Sequence, residues 1–217
     1  VLMRAIGRFK QRPGDWTDQL LQLAGSQDRE IAALAWDLLG YQDDPASLAK
    51  WTPRAAVLLG IRDRRDMALS AMWRVAGKTA TGLKELAALA QETAASEEQR
   101  NRALEILGNA TQARDSTNPP EATRTAFALW MPICDPVIRT ARPGEGFDRC
   151  LRPASFAYPD RRDEARQVAA WLSANPNVEA RLRLLEYLEG LWSDAIDTEP
   201  AVRAELAHAD PRVRQAA

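Results

Sequence analysis

The 217-residue sequence has few of the residues that form metal, haem or nucleic-acid sites. A single histidine cannot supply a pair of histidine ligands, and the two cysteines do not form a CxxC motif of the kind found in zinc ribbons and iron–sulfur proteins. The 29 basic and 30 acidic side chains give a net charge of -1, which argues against a protein that coats nucleic acid or an anionic membrane. We therefore expect no metal, no cofactor and no nucleic-acid partner.

Long apolar runs and β-branched residues are also scarce. No run approaches the roughly twenty apolar residues that cross a bilayer, so we expect no membrane segment. The strand-favouring residues valine and isoleucine number only 8 and 7, whereas alanine, the strongest helix former, numbers 39. This composition predicts an all-α protein.

Three similar segments indicate an internal repeat. Each consists of an apolar residue, a large apolar residue, a charged residue, two apolar residues and a glycine; the segments are 35–40, 72–77 and 103–108. Each is predicted to end a helix that begins at a polar N-cap residue, namely Asp28, Asp63 or Ser96.

A second pattern, a capping residue followed by proline at the first helical position, predicts three later helix starts. These are Asp135, Asn175 and Asp210. A preceding helix is predicted before each of the six starts, at 16–24, 52–59, 81–94, 121–131, 163–173 and 199–208. Two short helices per period of thirty to forty residues is the pattern of an α-solenoid.

Two segments of the chain resemble repeats of a known family. These are Asp210-Pro-Arg-Val-Arg-Gln-Ala-Ala and the helix that begins Asp28-Arg-Glu-Ile-Ala-Ala-Leu-Ala. In both segments the chain resembles the HEAT-repeat family, within the armadillo-like group. The resemblance implies an α-solenoid of about five to six antiparallel helix pairs. HEAT-like proteins mostly act as scaffolds, so it also implies a non-catalytic module that binds a protein partner.

Residues 142–160 interrupt the repeat, because three prolines and two glycines leave no helical period there. We expect an irregular insertion after a shortened helix that begins at Asp135. Otherwise 1–217 is expected to form a single solenoid, and to be a fragment of a longer protein because it ends inside a predicted helix.

Cys134 and Cys150 bracket most of this insertion. In an exported protein they could form a disulfide that closes it, and in a reducing cytosol they would be two separate thiols. The second interpretation, with a cytoplasmic location, is favoured by the sequence.

Ten residues are candidates for partner binding. One repeat position is occupied by charged residues of alternating sign, Asp37, Arg74 and Glu105. They could form a stripe that binds a partner, but we favour a solvated face with weak ion pairs. Trp36 and Trp73 also share a position, where packing between repeats is favoured over partner contact. The insertion adds aromatic and basic residues, for which packing onto neighbouring helices is again favoured: Phe147, Arg149, Arg152, Phe156 and Tyr158.

The sequence is also compatible with two other functional classes. The first is similar to the solenoid DNA alkyl-base glycosylases, for which the only suitable cluster is Arg62, Arg64, Arg65 and Arg74 near Trp73 and Asp66. The second is similar to the HEAT stretch before a haem-binding CxxCH module in some exported bacterial cytochromes, although no CxxCH occurs here. No phosphate-binding loop, GxSxG or HExxH motif is found, so we expect no enzyme and no catalytic residue.

Overall fold

The computed structural model describes residues 16–112, 120–191 and 198–217, and these ranges contain α-helices and no β-strand. The predicted all-α class is therefore confirmed. The described residues divide into two compact units, one comprising 16–110 with 120–129 and the other 111–112 with 130–191 and 198–217. No described helix is both long and apolar enough to cross a membrane.

The first unit is built from three successive helix pairs. Its helices are α1 (Thr17–Ala24), α2 (Arg29–Leu39), α3 (Pro45–Leu59), α4 (Arg65–Trp73), α5 (Leu83–Gln91) and α6 (Glu97–Ala110). Each odd-numbered helix packs against the even-numbered helix that follows it. In addition, α1 contacts α3 and α3 contacts α5, while α2 contacts α4 and α4 contacts α6. The first and second helices of the pairs thus form two layers, each in chain order.

The second unit takes the C-terminal part of the long helix α7 (Pro120–Thr140) and the helices after it. These are α8 (Glu145–Leu151), α9 (Ala154–Ala157), α10 (Arg161–Ala174), α11 (Val178–Glu189), α12 (Glu199–Glu205) and α13 (Pro211–Ala216). Helix α10 pairs with α11, and these two helices contact α12 and α13 respectively. The order of contacts is the same as in the first unit.

Polar side chains bridge neighbouring helix pairs at a regular distance along the sequence. In the first unit such hydrogen bonds join Arg74 to Asp37, Gln99 to Asp66 and Lys50 to Asp18, at separations of 37, 33 and 32 residues. In the second unit they join Trp171 to Asp135, Asn175 to Ile138 and Arg212 to Glu179, at separations of 36, 37 and 33 residues.

The predicted helix starts are confirmed at three of six positions. The side chains of Asp28, Ser96 and Asp210 accept hydrogen bonds from backbone amides in the first turn of α2, α6 and α13. The prediction at Asp63 is wrong, because α4 begins at Arg65 without a side-chain cap.

The predicted start at Asn175 is also wrong, since Asn177 caps α11. The Asn175 side chain is buried, and its amide nitrogen donates to the carbonyl oxygens of Ile138 and Ala141 at 2.6 and 3.1 Å. Its side-chain oxygen accepts from the backbone amide of Asn177 at 2.8 Å. Because the Asn175 side chain forms these tertiary hydrogen bonds, it does not cap the helix, and α11 has its N-cap two residues later, at Asn177.

The predicted helix start at Asp135 is wrong for a different reason, because α7 continues through it. Proline removes one helical hydrogen bond, and both Pro132 and Pro136 lie inside this helix. Its inward face compensates, since Trp130, Cys134 and Ile138 are spaced four residues apart and all are fully buried. Packing of this face outweighs the local preference of proline to begin a helix.

Asp135 instead joins α7 to α10. Its carboxylate accepts hydrogen bonds from Arg139 Nε at 2.7 Å, Trp171 Nε1 at 2.9 Å and Gln167 Nε2 at 3.2 Å. Burial raises the pKa of Asp135, but the hydrogen bonds from Arg139 and Trp171, with the charge of Arg139, bring it below its ordinary value.

The segment 142–160 is not the irregular insertion that the sequence predicts, because it contains α8 and α9. Its prolines occupy positions where no helical amide donor is needed: Pro143 precedes α8, Pro153 is the N-cap residue of α9, and Pro159 precedes the Asp160 cap of α10. Prolines that indicate a loop in the sequence here separate short helices.

Cys134 of α7 and Cys150 of α8 form a disulfide, with a Cα–Cα distance of 5.1 Å. The favoured interpretation of two separate thiols is therefore wrong for this structure. Both cysteines are buried, so the bond attaches α8 to the inward face of α7.

We expect protein purified without reductant to release no reactive thiol when denatured, and two after reduction. Reduction should lower the free energy of unfolding by roughly 3 kcal/mol, because the bond limits the unfolded chain. Thiol titration and urea unfolding measure these effects. A Cys134→Ala, Cys150→Ala variant is the control, and its stability should not respond to reductant. Two reactive thiols before reduction would contradict the bond.

Replacing Asp135 with asparagine should lower the free energy of unfolding by about 1–2 kcal/mol at pH 7, because the charged hydrogen bond from Arg139 is lost. A folded-state pKa below the unfolded value stabilises the fold above about pH 4, and this stabilisation disappears as the pH falls through the folded pKa. The difference between wild type and variant should therefore shrink below pH 4 in urea titrations. Asp148→Asn, at an exposed position of α8, is the matched control.

Candidate functional site

The aligned charges on the second helices form one ion pair. Arg74, immediately after α4, places Nη2 2.7 Å from Asp37 Oδ1 on α2, and about a third of each side chain is exposed. The guanidinium carbon of Arg74 also lies 4.0 Å from the centre of the Tyr41 ring. Arg74 therefore connects the second helix pair to the first by charge and by stacking.

The third aligned charge does not extend this pair into a ladder. Glu105 on α6 is half-buried and forms no ion pair with any residue in the described ranges. The second and third pairs are joined instead by Arg102, whose guanidinium carbon lies 4.3 Å from the centre of the Trp73 ring. An arginine thus stacks on an aromatic ring of the preceding helix pair at both junctions.

The two tryptophans at the shared repeat position differ in exposure. Trp36 is only 3% exposed and meets the edge of Trp51, with ring centres 6.5 Å apart. Its indole nitrogen is buried and has no hydrogen-bond partner within the described part of the chain. Trp73 is half-buried beneath Arg102.

The candidates in 142–160 divide between core and surface. Phe147 and Tyr158 are buried, Arg149 is half-buried and Arg152 is exposed; the side chain of Phe156 lies outside the described residues. The Tyr158 hydroxyl donates a long, weak hydrogen bond to Met131 Sδ at 3.9 Å. Burial, together with the negative charge of Asp135 and Glu164, raises the pKa of Tyr158.

Two arginines of the cluster predicted from the sequence, Arg65 and Arg74, form ion pairs with carboxylates of the protein itself. Arg65 is buried; its Nη2 lies 2.9 and 2.7 Å from the Glu92 carboxylate oxygens, and its Nε donates to the Leu59 carbonyl at 2.8 Å. Arg74 is paired with Asp37. Asp66, the carboxylate of the cluster, accepts a hydrogen bond from Gln99 at 3.0 Å. The basic surface expected from the sequence is reduced to Arg62 and Arg64.

An apolar cavity of about 450 Å³, not anticipated from the sequence, lies between the first two helix pairs. Its apolar lining comes from the end of α1, the C-terminal half of α2, the last turn of α3 and the second residue after α3: Leu21, Ala24, Gly25, Trp36, Val57, Leu58 and Ile61. Val57 is 67% exposed and Ile61 43% exposed, so two large apolar side chains of the same lining are open to water. We call this feature the α1–α3 cavity.

Basic groups surround the α1–α3 cavity. Arg54, Asp63 and Arg64 complete its lining, and the Arg54 side chain is exposed. Arg29 Nη2 lies 3.4 Å from the carbonyl oxygen of Asp63, so a third guanidinium is at the rim. Asp63 is the one carboxylate in the lining, and its Oδ2 lies 4.0 Å from Arg64 Nε.

Among the described residues, no cluster of three or more histidine, cysteine, aspartate or glutamate side chains is arranged to hold a metal ion. Comparison with protein-family models, with curated proteins and with solved structures finds no match. The candidate site is therefore defined by this chain's own geometry, and the α1–α3 cavity is its principal feature.

The Asp37–Arg74 pair tests whether the shared charge position contributes to folding. We expect a coupling energy of about 0.2–1 kcal/mol from a double-mutant cycle with Asp37→Ala and Arg74→Ala, because the pair is partly exposed. Urea unfolding of the four proteins measures it. The cycle with Glu105→Ala in place of Asp37→Ala is the control and should give no coupling. Equal coupling in both cycles would show that Arg74 also interacts with Glu105 and would contradict the pairing seen in the structure.

Proposed function

We propose that the protein is a HEAT-like α-solenoid that acts as a non-catalytic interaction module for a protein partner. The order of helix contacts supports the solenoid, because first helices contact first helices, and second contact second, in both units. Hydrogen bonds at separations of 30 to 37 residues support the same repeat period.

The observation that carries the binding role is the α1–α3 cavity. Its volume lies within the range of about 300–1,000 Å³ typical of ligand sites, and it is lined mainly by apolar side chains. Leaving Val57 and Ile61 exposed to water sacrifices burial that a purely structural helix pair would retain. A partner that covers them would recover it.

The disulfide supports a second feature of the proposal, namely function in an oxidising compartment. It favours the alternative in which the solenoid belongs to an exported protein over the cytoplasmic location. The DNA-binding alternative gains no such support, because Arg65 and Arg74 are already bound to Glu92 and Asp37.

The proposed role can be tested by photo-crosslinking in the organism of origin. A benzophenone amino acid replaces Val57 in the cavity, or Leu206 as a control, because Leu206 is also a large exposed apolar residue but lies on the other unit. We expect irradiation to produce a discrete protein adduct from the Val57 position, identifiable by mass spectrometry. No adduct, or the same adducts from both positions, would contradict a binding role for the cavity.

A further inference from the structure

We infer that the α1–α3 cavity binds a peptide segment of its partner in which large apolar side chains are flanked by carboxylates. The inference rests on the proposed function and adds the chemistry of the partner. Three observations carry it: the exposed apolar lining, the excess of basic groups at the rim, and the absence of an exposed aromatic surface within the lining.

The apolar lining requires an apolar ligand group. Val57 lies in the last turn of α3 and Ile61 two residues after its end, and each is more than two-fifths exposed. Leu21 on α1 is buried and provides apolar surface opposite them. A leucine or phenylalanine side chain from a partner would remove this surface from water and be held by the hydrophobic effect.

The charges at the rim require acidic groups beside that apolar anchor. Within the described ranges neither Arg54 nor Arg29 forms a salt bridge, and Arg29 donates a hydrogen bond to the backbone carbonyl of Asp63. Arg64 is offset by Asp63, which leaves the rim with a positive excess. Carboxylates of a partner would pair with these guanidinium groups, while a basic partner would be repelled.

The same observations argue against the two other occupants of a basic, apolar site. Single-stranded nucleic acid binds by stacking bases on exposed aromatic rings, and Trp36, the one aromatic residue in the lining, is buried. A second copy of the chain packed cavity to cavity would bring two basic rims into one interface, where their positive charges repel. An acidic peptide satisfies both the charge and the apolar surface.

The test uses fluorescein-labelled twelve-residue peptides and the full chain, with binding followed by fluorescence anisotropy. The acidic-apolar peptide has two leucines four residues apart among glutamates. One control replaces the glutamates with lysines, and another replaces the leucines with serines. We expect the acidic-apolar peptide to bind about tenfold or more tightly than either control, and its affinity to fall with added salt.

Variants of the chain locate the binding. Val57→Ser and Arg54→Glu should each weaken binding of the acidic-apolar peptide about tenfold or more. The matched controls are Leu206→Ser and Arg124→Glu, both at exposed positions outside the lining, which should bind like wild type. Arg54→Glu should also gain affinity for the lysine-apolar peptide, a change that a misfolded variant would not produce.

Equal binding of the three peptides, no binding of any, or unchanged affinity of both cavity variants would overturn the inference. It would also be overturned if a labelled oligonucleotide bound at this site, or if light scattering detected a dimer that Val57→Glu dissociates. If Val57 crosslinks to a partner protein but the acidic-apolar peptide does not bind, this inference is wrong and the proposed function still stands. Loss of both the crosslink and the peptide binding would remove both.

Discussion

Two short helices packed together leave apolar surface uncovered, so the described part of the structure depends on how each helix pair meets the next. In the first unit the second helices α2, α4 and α6 contact one another in order, and their buried positions are filled largely by alanine and leucine. Small side chains allow close packing, and most of the stabilisation is expected from burial between pairs rather than from helix propensity.

This constraint places the important polar groups at the junctions. Arg65, at the start of α4, is held by Glu92 at the end of α5 and by the last carbonyl of α3, so one buried cation connects three helices. Asn175 serves the same purpose in the second unit by binding two carbonyls near the end of α7. Because a buried charge or amide without partners is costly, each such group fixes the position of the helix ends around it.

Local signals explain which parts of this arrangement could be predicted from the sequence. The caps at Asp28, Ser96 and Asp210 depend on a few neighbouring residues, so the sequence identified them correctly. Asp135 has the same local pattern but accepts hydrogen bonds from Trp171 and Gln167, thirty-six and thirty-two residues away. The helices of 142–160 likewise depend on burial of Phe147 and on a disulfide, neither of which the proline pattern contains.

The α1–α3 cavity could not be predicted for a related reason. In the sequence Val57 and Ile61 look like ordinary apolar positions at the end of an amphipathic helix, and only the placement of α1 and α2 decides whether a neighbour covers them. At this junction the cover is incomplete, and arginines rather than apolar residues surround the gap. If helix pairs are stabilised mainly by contacts with neighbouring pairs, as in the proposed solenoid, an incompletely packed junction is tolerated because the other junctions contribute independently. In the proposed interaction module, that tolerance would leave the surface of Val57 and Ile61 available for a partner.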